Sequence, residues 1–419
     1  MCRSNQTTQT ASNSISNPAP RVAILGAGLM GRMLAVALTQ KEQATAIYRT
    51  NNSYQVTLFD KDDEQGHASA AYLAAAMLAP LAESAEASHN IMQLGERSLE
   101  LWPRFLQTLV EPVFFQRQGT VVLAYEQDHS CLLDFQRRLK RQKSTDVKML
   151  NTAEIKALEP DLANQTRHFT SGLLLPNEGQ LDNRGLLHSL AITIKQRDIA
   201  WFTNTSVETS QTDGNQVLID HQPKTFDWVI DCRGLGAKTA IQTDAENNTH
   251  NLSQLRGVRG EVIRVHAPEV KLSRPVRLMH PRYPIYIAPK PNQQFVIGAT
   301  QIESEDLRQP TVRSALELLS SCFSVHKGFA EAEILEMRAG LRPALPDNEP
   351  KIWHQDRHIK INGLFRHGYL LAPALVEQCL AIINQTEATG QTKSEEPAGL
   401  PTFEQNSNPQ YRTVNGANL

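Results

Sequence analysis

Arg21-Val22-Ala23-Ile24-Leu25-Gly26-Ala27-Gly28-Leu29-Met30-Gly31-Arg32-Met33-Leu34 is the stretch on which the fold turns. Val22 to Leu25 is apolar and partly β-branched, as a buried strand requires. Glycines at G-x-G-x-x-G spacing follow, and Met33, Leu34, Val36, Ala37 and Leu38 then read as a helix. Strand, glycine turn and helix in that order form a dinucleotide-binding unit. Gly26 lets the chain turn tightly, Gly28 lets backbone approach a diphosphate, and Gly31 lets helix and strand pack closely. The unpaired N–H groups of the helix start favour an anion. Without those flanks the same glycines would be only a glycine-rich turn.

Working outward, Tyr54 to Asp60 reads as a second strand that ends in an acid. Asp60 lies 29 positions after Gly31 (60 − 31), against about 20 in the usual interval; a polar loop at 41–53 takes up the difference. The acid suits adenosine ribose hydroxyls, with a solvated strand-end carboxylate as the alternative. Gly66 to Pro80 is dense in alanine, so something packs close to its backbone, either core neighbours or a ligand. Residues 89–109 read as an amphipathic helix, 113–125 as a hairpin and 128–143 as a basic amphipathic helix. A capped short helix spans 151–160, a strand and turn 172–184, and a helix 185–196; strands follow near 199–203 and 216–220.

Phe226 to Gly236 contains an apolar strand leaving through Gly234, which suits a strand laid beside the first one. Residues 256–325 change character: short alternating strands and Pro/Gly turns suggest an antiparallel sheet inserted into the first domain, followed by a helix at 312–325. Glu331 to Leu335 is strand-like, Gly340 to Asp347 reads as a loop, and the segment from Gly363 leads into a helix ending near Gln385.

Composition narrows the function classes. The chain has 419 residues, 40% hydrophobic and 21% charged, with a formal net charge of −2. Basic and acidic residues are well mixed, which argues against a nucleic-acid partner. Cys2, Cys131, Cys232, Cys322 and Cys379 form no C-x-x-C pair, which argues against zinc and a disulfide framework and fits a reducing cytoplasm. The apolar run Tyr72 to Ala82 is too short to cross a bilayer, and residues 1–19 hold no signal-peptide core. Residues 1–19 and 387–419 read as disordered tails.

Several stretches together carry a family resemblance. Ile24 to Gly31, Ala75 to Pro80, Leu174 to Gln180 with Asp182 to Arg184, and Val229 to Gly234 are followed by Leu255 to Val262, Tyr286 to Lys290, Val296 to Thr300, Gly340 to Pro343 and Phe365 to Pro373. In this order the chain resembles the glycine oxidase branch of the D-amino-acid-oxidase-like flavoproteins, which includes the oxidase of thiamine (thiazole) synthesis. The fold class implied is α/β, a doubly wound, Rossmann-like FAD-binding domain with an inserted antiparallel-sheet α+β substrate domain. FAD-binding parts would span 20–105, 161–256 and 337–386, and substrate parts 106–160 and 257–336.

The resemblance implies noncovalent FAD, hydride transfer from the Cα of a small amino acid or amine to flavin N5, and return of electrons to oxygen as hydrogen peroxide. It also implies handover of product to a thiazole synthase; a homo-oligomer stays open. A carrier-linked dehydrogenase of D-amino acids or secondary amines is the alternative. Hydride chemistry belongs to the cofactor, so the protein's task is to bind and orient, with a guanidinium for the substrate carboxylate. Arg342 matches the family's carboxylate-binding arginine, Tyr286 its carboxylate-bonding tyrosine, and Arg366 a second arginine at the flavin-proximal turn. Their bland alternatives are a surface arginine, a core tyrosine and an internal salt bridge. The implied cofactor contacts are Gly26, Gly28, Leu29, Met30, Gly31, Asp60, Lys61, Ala68, Ser69, Ala76, Met77, Val207, Gly234, Arg366, His367, Gly368, Tyr369 and Leu370. Ala76 stands where the family carries glycine, so a Cβ there narrows the space beside the flavin.

Overall fold

The computed structural model describes residues 18–40, 48, 50, 53–141, 147–164, 169–209, 215–238, 254–281 and 284–389. Most of the two expected tails and of the polar loop at 41–53 lies outside these residues.

The opening stretch forms the strand Arg21–Leu25 and the helix Leu29–Leu38. That strand is central in a six-stranded sheet, with Gln55–Phe59 on one side and Trp228–Asp231 on the other, both parallel to it. His358–Asn362 continues the parallel order and Lys351–Gln355 closes the edge antiparallel. Both faces of the central strand are covered, which is why its sequence is apolar throughout. Val22 and Ile24 face the helices Leu29–Leu38, His89–Leu106 and Gly368–Thr389, whereas Ala23 and Leu25 join Phe59, Val207, Val217 and Phe226. The helices therefore cover one face and a three-stranded antiparallel sheet (Val207–Thr209, Gln216–Ile219, Gln222–Thr225) the other.

The second large unit is an eight-stranded sheet. Its edge strand, Glu333–Ala344, pairs along its length with Arg256–His266; Gln294–Gly298, Ile285–Lys290, Val276–Met279, Thr120–Ala124, Ser171–Leu175 and Lys148–Asn151 follow. All neighbours are antiparallel except Val276–Met279 and Thr120–Ala124.

Several local expectations change. Residues 113–125 are not a hairpin: Phe115–Gln116 pairs with Gly179–Leu181 in a small three-stranded sheet, and Thr120–Ala124 joins the large one. Gly119, at φ +86°, turns the chain between the sheets. Residues 340–344 are not loop but the end of the edge strand, because Arg256 to Gly260 supply the hydrogen-bonding partner. The domain boundary drawn at 336/337 thus falls inside one strand, and Ser171–Leu175, placed with the FAD-binding parts, lies in the large sheet. The last helix runs to Thr389, past the expected tail start, and Glu387 accepts hydrogen bonds from Tyr54 and Trp228.

Candidate active site

A cavity of about 1370 Å³ runs from the glycine turn to the large sheet. At one end are Gly26, Gly28, Leu29, Met30, Asp60 and Lys61, and along its wall Ala68, Ser69, Ala76, Met77 and Gly234. The start of the last helix (Arg366, His367, Gly368, Tyr369 and Leu370) closes one side, and Tyr286 and Arg342 stand at the far end. Residues scattered over more than three hundred positions of sequence meet here because both sheets end at the same space.

The dinucleotide end is made mainly of backbone. A Cβ on Gly28 would meet nothing within 4 Å, so the turn is open toward the cavity, and the helix it caps carries no side-chain cap. Gly31 faces the strand instead: a Cβ there would collide with the Gly26 carbonyl. Asp60 accepts hydrogen bonds from the N–H groups of Ala27 and Asp62. Burial raises its pKa, and these bonds oppose the rise. Two expected contacts do not line the cavity. Gly31 acts through packing, and the Val207 side chain lies in the apolar layer beneath the parallel sheet, while its carbonyl accepts from Arg233 at 2.8 Å. Ala76 sits at φ +51°, a left-handed conformation that suits glycine better than a residue with a Cβ.

The far end is made of side chains laid flat on strands. Arg342 and Gly340 share a strand face, and across the pairing Gly340 opposes Gly260. The Arg342 guanidinium occupies the space a Gly260 side chain would take. Tyr286 pairs with Gly298 in the same manner; a Cβ on Gly298 would lie 2.5 Å from the Tyr286 hydroxyl. Arg342 donates to the Thr300 carbonyl at 3.2 Å and to Arg259 O at 3.4 Å. Among the described residues no carboxylate pairs with it. Burial lowers the guanidinium's pKa and raises that of the Tyr286 phenol. A half-buried guanidinium satisfied only by carbonyls, beside a phenol, is chemically suited to an anion.

Arg366 is differently engaged. It donates to Glu83 at 2.7 Å, Glu86 at 2.8 Å and Gln301 at 3.3 Å. Arg277 holds the other Glu83 oxygen at 3.0 Å, and His367 Nδ1 lies 3.4 Å from the oxygen that Arg366 holds. Burial would raise the Glu83 carboxyl, but Arg366 and Arg277 overcome it and hold it at about 2. Burial pushes His367 down to about 4. Neither group changes protonation at neutral pH, so this network holds shape and charge rather than moving protons. Glu83 and Arg277 gave no signal in the sequence; Gly260 and Gly298, glycines inside alternating strands, did carry one, because such glycines mark a close approach.

Residues 21–378 match the family model for FAD-dependent oxidoreductases of the D-amino-acid oxidase type (DAO). The chain belongs to this family. A Rhizobium etli protein named as a thiamine biosynthesis oxidoreductase, ThiO, is 37% identical over 85% of this chain and 94% of its own length. A bifunctional ThiO/ThiG protein of Trichormus variabilis is 25% identical over 84% of this chain, which spans 51% of that protein. The crystal structure of glycine oxidase from Bacillus cereus superposes with a TM-score of 0.71 at 19% identity, covering 90% of this chain and 96% of the other.

For a member of the FAD-dependent oxidoreductases, the cavity fits its cofactor. Two helix starts open into it, at Gly28 and Gly368, and a Cβ at either would meet nothing within 4 Å. Between them the wall is alanine-rich, so a flat ring system can lie against main chain. Gly28, Leu29 and Met30 would hold the diphosphate, and Gly368, Tyr369 and Leu370 the far edge of the flavin. Among the described residues no helix is long and apolar enough to cross a membrane.

Proposed function

We propose that this chain oxidises a small amino acid or amine that carries a carboxylate, glycine or a close analogue, to the corresponding imine. Arg342 carries the reading: a half-buried guanidinium on the cavity wall, bonded only to carbonyl oxygens, beside the Tyr286 hydroxyl. Arg342 and Tyr286 anchor the substrate carboxylate and so fix which face of the Cα is presented. Leu73, packed over Gly340, keeps the neighbouring wall apolar. Bound FAD supplies the acceptor for the Cα hydride, and oxygen takes the electrons on to hydrogen peroxide. The name of the Rhizobium etli relative supports a place in thiamine biosynthesis, and the bifunctional ThiO/ThiG relative supports handover of the product to a thiazole synthase.

The test is the visible spectrum of the purified full-length protein under anaerobic conditions with glycine, sarcosine or D-alanine. Bleaching by at least one of these, with peroxide formed on admitting air, is the expected result. Bleaching without peroxide, but with reduction of an electron-accepting dye, would replace the oxidase by the carrier-linked dehydrogenase. No bleaching by any of the three would remove the amino-acid reading while leaving FAD binding intact.

A further inference from the structure

Arg32 follows the last glycine of the turn and is 1% exposed. A cation so deeply buried normally has a carboxylate partner; among the described residues Arg32 forms no ion pair. Its Nε donates to the Ala27 carbonyl at 2.7 Å and its Nη1 to the Leu187 carbonyl at 2.9 Å, while Nη2 is buried without a hydrogen-bond partner. The guanidinium lies against the Trp201 ring, 4.8 Å from its centroid. Nη2 also approaches Gly66, where a Cβ would lie only 2.7 Å away.

Ala27 is the residue between the first two glycines, and its peptide groups are gripped from opposite sides. Asp60 accepts from its N–H and Arg32 donates to its C=O. The carboxylate is thereby engaged with backbone, and the guanidinium, which feels Asp60, Asp62 and Asp63 without forming an ion pair to any of them, stands one hydrogen bond behind the open turn at Gly28.

We propose that Arg32 is a buried counter-cation for the FAD diphosphate, setting cofactor affinity from behind the glycine turn without touching the cofactor. Its field acts through a low-dielectric layer only a peptide thick, where an attraction between opposite charges is strong. Its bond to the Ala27 carbonyl also fixes the turn that presents the Gly28 and Leu29 N–H groups. Arg32 is a positioning residue and takes no part in the oxidation itself.

The experiment measures binding of FAD, ADP and adenosine to the full-length chain freed of cofactor, by equilibrium dialysis, for wild type, Arg32→Met and Arg32→Lys. Arg32→Met should weaken FAD and ADP by roughly 10- to 100-fold and leave adenosine within about twofold, because only the first two carry the diphosphate. Arg32→Lys, which keeps the charge, should keep the ADP-to-adenosine affinity ratio within about threefold of wild type. Equal weakening of all three ligands by Arg32→Met would make the residue a structural brace and overturn the proposal. No weakening of ADP, or Arg32→Lys behaving like Arg32→Met, would overturn it as well. Should Arg32→Met not fold, Arg32→Gln, which keeps a donor and removes the charge, carries the same test with the same outcomes.

Discussion

On the function proposed, the two ends of the cavity solve the same problem, holding an anion away from bulk water, by different constructions. At the dinucleotide end the recognising groups are main-chain N–H donors at Gly28 and beyond, supplied by one short run of sequence and shaped by what glycine lacks. At the substrate end they are the side chains of Arg342 and Tyr286, carried on strands whose registers place each above a glycine of a neighbouring strand. Backbone recognition depends on local geometry and tolerates varied side chains. Side-chain recognition depends on the register of distant strands, where a one-residue slip would turn each group to the opposite face.

This contrast can be broken at either end. The largest effect is expected from Gly31→Ala, because its Cβ would collide with the Gly26 carbonyl in an interior that cannot relax around backbone. The purified variant should carry no flavin absorbance between 350 and 500 nm, roughly the visible flavin bands. Full retention of flavin would show that the turn is less constrained than its packing indicates. Next comes Arg342→Lys, which removes the planar fork while keeping a charge. Its kcat/KM for carboxylate substrates should fall by roughly 10- to 200-fold, the value of a charged hydrogen-bonded contact, with flavin content unchanged. A fall in flavin content instead would move Arg342 from the substrate end to the cofactor end. The smallest effect is expected from Gly298→Ala. The new Cβ displaces the Tyr286 ring and should raise KM by about 5- to 10-fold with kcat within twofold, a cost at the low end of overpacking. Steady-state kinetics with glycine, with D-alanine as a second substrate, would check both values; an unchanged KM would show that Tyr286 does not bear on the carboxylate.

The same division explains what could be read before the fold was known. Strand, glycine turn and helix from Arg21 to Leu38 were legible because short-range periodicity and glycine spacing specify them together. Arg342 was legible by family resemblance, but its setting was not. Gly340 to Ala344 looked like a loop because Gly340 and Pro343 break strand patterning, yet pairing with Arg256 to Gly260 makes it strand. The hairpin expected at 113–125 failed for a related reason: both halves found better partners in separate sheets. Arg366 was assigned to the flavin turn, and it does border the cavity, but its guanidinium is committed to Glu83 and Glu86.

By itself the sequence determined the dinucleotide unit through local pattern, and the α/β class and the chemical types gathered for the site through the family resemblance. Tertiary structure alone decided that Gly260 and Gly298 clear space for Arg342 and Tyr286. It alone showed that Glu83 is locked between arginines, and that Arg32 lies behind the glycine turn with no ion pair among the described residues. Those facts depend on which atoms of distant segments come within a few ångströms of one another, and on how much water is excluded when they do.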